Sequence, residues 1–206
     1  RPLFPERCAY TVEYDLSTAE QELYDSVTHY VTEEFNRAER LGGKHKNSVG
    51  FALTILQRRL ASSPEAIYQS LRRRRIRLES KLAEAKSVAS GKVAYTDKWG
   101  IDSRDFDEDD YDSEEYEQME DDVVDTASAA ATVAELYAEI AILRTLERKA
   151  NDVRISGEDR KWEELSRLLQ DDSNMFGMDG RREKLIIFTE HKDTLNYLAG
   201  KIGSLL

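Results

Sequence analysis

The sequence predicts a mainly α fold with a minor β component, organised around a helical hairpin. Apolar residues recur at three- and four-residue spacings through much of the 206 residues, the period of an amphipathic helix. Two S/T-x-x-E capping boxes, Ser17 to Glu20 and Thr132 to Glu135, mark helix starts, because each side chain satisfies a free amide of the first turn. Only two short stretches, near 9–15 and 184–189, carry a strand pattern.

In "AYTVEYD" (Ala9–Asp15) Tyr10, Val12 and Tyr14 alternate with polar residues, as in a half-buried strand. The helix capped at Ser17 keeps Leu23, Val27, Val31, Phe35 and Ala38 on one stripe to about Leu41, and Gly42-Gly43 stops it. Asn47 is placed to cap a second helix lined by Val49, Ala52, Leu53, Leu56 and Leu60. Ser63-Pro64 restarts the chain as N-cap and first helical residue. The third helix, to about Ala89, has a narrow seam of Ile67, Leu71, Leu78, Leu82 and Ala85 suited to a helical hairpin.

Periodicity then fails. Residues 90–131 read as a largely disordered loop with Tyr95–Ile101 docked. Thr132 opens a helix to about Asn151, with Val133, Leu136, Tyr137, Ile140, Leu143 and Leu146 apolar, able to return antiparallel against the third. A short helix spans Glu158–Gln170 and "DDSNMFGMDG" is a loop. Leu185–Phe188 is a continuous apolar run, the pattern of a strand covered on both faces. The final helix sets Leu195, Leu198, Ile202 and Leu205 on one side. No internal repeat is visible.

Charge is segregated. Residues 102–125 hold fourteen Asp/Glu and one Arg, net −13, within a chain of net charge −11. The rest is therefore close to balanced, and local patches matter more than the total. Cys8 is the single cysteine, which excludes an internal disulfide and fits a reducing cytoplasm. No apolar stretch approaches the ~20 residues of a membrane helix, and no signal sequence is present. A chain opening on Arg1 rather than Met reads as a piece of a longer polypeptide.

Three landmarks stand in order: "PLFPERCAYTVEYDLSTAEQELYDSV", with Gln21 and Tyr24 in a capped helix; "ALTILQRRLASSP"; and "RKWEELSRLLQ…REKLIIFTEHKDTLNYLAGKI". This order resembles the Swi/Snf-type branch of the superfamily-two helicases, particularly its bacterial members, over about half the chain. The resemblance implies that residues 1–62 lead into the second RecA-like motor lobe as a strand and two helices. It implies that 153–206 carry a helix and the motif IV strand and helix of that lobe. Residues 63–152 then form a helical hairpin insertion with the acidic loop at 90–131, attached to an incomplete RecA-like α/β lobe. The other strands of the lobe and its ATP-site parts would lie outside this chain. No G-x-x-x-x-G-K-[ST] loop occurs, so ATP and Mg are expected for the parent protein, with no cofactor, and no ATP hydrolysis, in this piece alone.

The resemblance also implies that the loop at motif IV faces a nucleic-acid backbone, which singles out Thr189, His191 and Lys192. Free amides at a helix start, a hydroxyl and an ammonium suit a phosphate; equally, Thr189 reads as a cap and Lys192 as a solvated cation. Arg58 and Arg59 form a pair suited to phosphate or to a carboxylate clamp. Arg72, Arg73, Arg74, Arg75 and Arg77 are the densest basic run. They read as a grip on duplex phosphates, as a target for the acidic loop folding back to mimic nucleic acid, or as a solvated helix face. The acidic run reads most simply as a solvated linker and lacks EF-hand spacing. His29, His45 and His191 are far apart and Cys8 has no C-x-x-C partner, so neither a metal site nor a catalytic group is expected.

The sequence thus carries two readings. One is part of an ATP-dependent translocase on double-stranded DNA. The other is a non-catalytic helical module that binds a protein through its hairpin and acidic tether. In either, an unpaired terminal strand invites pairing with another chain.

Overall fold

The computed structural model describes residues 11–41, 43–89, 113–130, 132–171, 175–176, 180–182 and 184–205. Its helices are α1 (Thr18–Leu41), α2 (Gly43–Ser62), α3 (Pro64–Ala89), α4 (Ser113–Thr126), α5 (Val133–Ser156), α6 (Arg160–Asp171) and α7 (Lys192–Leu205).

Local chemistry sets the helix ends. At α1 Ser17 N–H donates to Glu20 Oε2 at 2.7 Å and Glu20 N–H to Ser17 Oγ at 3.2 Å, closing the capping box. Ser63 Oγ accepts from Ala66 N–H at the start of α3. Thr132 and Glu135 close the second box, and Gly157 ends α5 with φ of 79°, a left-handed conformation that favours glycine. The expected cap at Asn47 is not one, because α2 already begins at Gly43.

α3 and α5 form the centre and run antiparallel. As one reads down α3, its ion-pair partners climb α5 in reverse: Glu65 with Arg154, Arg75 with Glu147, Glu79 with Arg144. α1 packs on α2 and α5, and α4 on α2 and α3. One apolar core joins Leu23, Val27, Val31, Leu53, Leu56, Ile67, Leu71, Leu78, Leu136, Ile140 and Leu143. Phe35, expected on the α1 stripe, is nearly half exposed, as are Val133 and Tyr137.

Two expectations are corrected. Within the segment assigned to the acidic loop, residues 113–126 form helix α4, with Val123 and Val124 buried in the core; Tyr95–Ile101 lie outside the described residues. Among the described residues neither expected strand is formed. Residues 11–15 and 184–189 have no ladder, and the bridging among described residues is one isolated antiparallel pair, Phe176 with Arg182. A strand needs a hydrogen-bonded neighbour, and among the described residues neither segment has one. Ile186 is 76% and Phe188 90% exposed, so much of the apolar run lies uncovered, with Ile187 partly buried. No helix among the described residues is long and apolar enough to cross a membrane.

Candidate nucleic-acid interface

The cationic residues singled out by sequence occupy four environments. A helix turns about 100° per residue, so the four consecutive arginines of α3 point in four directions. Arg72 faces solvent. Arg73 meets Asp121 of α4 and Asp193 of α7, both at 3.1 Å. Arg74 is fully buried. Arg75 pairs with Glu147 of α5 and with Glu79. Arg77 is half exposed, 4.0 Å from Asp122.

Arg74 belongs to a polar centre within the apolar core. Its Nε donates to Tyr30 Oη at 2.8 Å, Nη2 to Glu139 Oε1 at 2.8 Å and Nη1 to the Val124 carbonyl. Tyr30 Oη also donates to Glu139 Oε1, and Ser128 Oγ to Glu139 Oε2. The network ties α1, α3, α4 and α5 together and leaves Arg74 no role toward an external ligand. Beside it, burial and the Glu139 charge raise the Glu34 carboxyl to about 7, even though Arg37 pairs with it at 3.0 Å.

A second node joins α2, α3, α4 and the start of α7. Arg58 pairs with Glu120 at 3.1 Å and with Glu190. Arg59, buried, donates from Nη1 to Ser70 Oγ at 2.8 Å and meets Asp121 through Nη2 at 2.6 Å. Ser62 and Ser63 hydroxyls bond Thr194 Oγ1 at 2.7 and 2.8 Å, clasping the α2–α3 junction to α7. Burial raises Asp125 to about 6 against the pull of Arg73.

After the Leu185–Phe188 run, α7 begins at Lys192, and the His191 carbonyl accepts from Leu195 N–H at 2.9 Å. His191, not Thr189, is the residue before the helix. It is buried, and burial together with the neighbouring Arg59 and Arg58 lowers its pKa to about 4. The imidazole is therefore neutral near pH 7 and offers no charge to a backbone. Thr189 is partly exposed and Lys192 exposed. Arg72, Arg77, Thr189 and Lys192 are thus the candidates turned outward, whereas Arg58, Arg59, Arg73 and Arg75 hold internal carboxylates.

Sequence reasoning missed Glu120, Asp121, Asp193, Thr194, Tyr30, Glu34 and Glu139. A signal for the first two was present: Met119, Val123, Val124 and Ala127 keep a helical spacing through the acidic run.

A cleft of about 680 Å³ opens between residues 12–16, the start of α1 and the α2–α3 junction. Tyr14, Leu16, Tyr24 and Pro64 line it beside Glu13, Asp15, Glu20 and Asp159. Among the described residues Lys161 is the one cation in its lining, and Glu20 and Asp159 are buried on helix-start amides. Among the described residues no group of His, Cys, Asp and Glu is placed to hold a metal ion. Comparison with protein-family models, curated proteins and solved structures finds no match for the chain.

Proposed function

We propose that the chain is part of an ATP-dependent, helicase-like DNA translocase, supplying nucleic-acid contact and lobe geometry next to the second RecA-like lobe. The observation that supports this reading is the largely uncovered Leu185–Phe188 run directly before α7. Its chemistry is that of a strand covered on both faces, and a self-contained helical module gains nothing by displaying it. On this reading Thr189 and Lys192 meet a duplex backbone phosphate, assisted by Arg72 and Arg77. ATP and Mg belong to other parts of the parent polypeptide, which would work in the cytoplasm. The test is ATP hydrolysis by that polypeptide with and without double-stranded DNA, beside this chain as control. Stimulation by DNA in the parent and no hydrolysis by the chain would support the motor; no hydrolysis in the parent would remove it.

A second reading is favoured by one observation of its own. The buried Arg74–Glu139 network completes a helical bundle with no sheet among the described residues. As a helical interaction module the chain would bind a protein on its α3–α5 hairpin, and duplex DNA would not bind even at low salt.

A further inference from the structure

At the node between α2, α3, α4 and α7 the arginine donors are incompletely satisfied, as is one acceptor, Asp125 Oδ1. Arg59 Nε and Arg73 Nε are both buried without an acceptor. In a guanidinium the Nε–H shares one edge with Nη2, and in both arginines Nη2 is the group that reaches Asp121. One edge of each fork is therefore half used. The His191 Nε2, 97% buried with its residue, is also without a hydrogen-bond partner, 3.6 Å from Glu190. Arg58 adds a third guanidinium, only partly buried. The first turn of α7, a 14-residue helix, ends at this node through Asp193 and Thr194. A tetrahedral phosphate offers more acceptor oxygens than a carboxylate and suits arginine forks and helix starts.

We infer that Arg58, Arg59 and Arg73 form an oxyanion site for a nucleic-acid backbone phosphate, and that α4 fills it with Glu120 and Asp121. Besides its acids, α4 is held there by Val123 and Val124 in the core and by the bond from Arg74 to the Val124 carbonyl. The acidic face is thus an internal competitor, and seating of α4 opposes ligand binding. The inference rests on the nucleic-acid reading above.

The test compares the wild type, Lys192→Ala, Glu120→Gln/Asp121→Asn, and that double variant with Arg73→Ala, each binding a short blunt DNA duplex over a range of salt. The double variant should bind about tenfold tighter, with a log–log salt slope steeper by about 2 to 3 as three arginines become available. Arg73→Ala should abolish that gain. Binding by the double variant equal to wild type, with Lys192→Ala weaker than both, would overturn the site and leave the nucleic-acid reading standing. No duplex binding by any of them would overturn both. Should the double variant fail to fold, inorganic phosphate titrated into wild type decides. The His191 ring resonances should shift saturably at constant ionic strength, and not in Arg73→Ala; an absent shift would overturn the site.

Discussion

Arg74 and Glu139 are charged residues in seam positions. Arg74 lies three residues after Leu71 and four before Leu78; Glu139 lies three after Leu136 and four before Leu143. Both spacings were visible in the sequence, and two charges of opposite sign on seams expected to face each other point to a buried pair. The composition of the basic run hid this, because a row of arginines reads as surface. Removing one partner leaves a buried charge uncompensated, so Glu139→Gln should lower unfolding free energy by about 3–5 kcal/mol, measured by urea denaturation. Glu34 makes a prediction of opposite kind. Its folded pKa of about 7 lies above the usual 4.5, so the native state binds more protons than the unfolded state between those values. Stability therefore falls as pH rises through this window, by up to about 3 kcal/mol. His191, depressed to about 4, acts in the reverse sense below its usual 6.5. The difference between wild type and Glu34→Gln isolates the glutamate. The variant should gain stability relative to wild type at pH 8 and not at pH 4.5, and equal urea midpoints at both would contradict the assignment.

Helix starts were legible because capping chemistry is local: Ser17, Ser63 and Thr132 each sit where a free amide needs an acceptor. Thr132→Ala should cost about 1 kcal/mol without altering duplex affinity, as thermal melts and titrations would show. Helix α4 was not legible in the same way. Fourteen acids in 24 residues repel one another, and composition alone argues for a solvated chain. What stabilises α4 is tertiary. Arg58, Arg59 and Arg73 neutralise its acids on one face, and Val123 and Val124 enter a core built by α2 and α3. The strands failed for the complementary reason. An apolar run specifies a strand only where a neighbouring strand completes its hydrogen bonds.

At the scale of the molecule, the mainly α character followed from periodicity, and the described residues bear it out. The candidate interface was only partly legible, because the sequence names cations but not their partners. Of the basic residues it singled out, those facing α4, α5 and the core are engaged internally, and Arg72, Arg77 and Lys192 face outward. The exposed run makes a prediction here. Ile186→Ser/Phe188→Ser should leave unfolding free energy unchanged within about 0.5 kcal/mol, because exposed side chains contribute little to the fold, while any self-association seen by light scattering should fall. The measurement that bears most directly on the central claim is duplex DNA affinity as a function of salt, for wild type and Lys192→Ala. Contact between Lys192 and a backbone phosphate predicts weaker binding in the variant and a log–log slope shallower by about 0.9. Equal affinity and equal slope would contradict it.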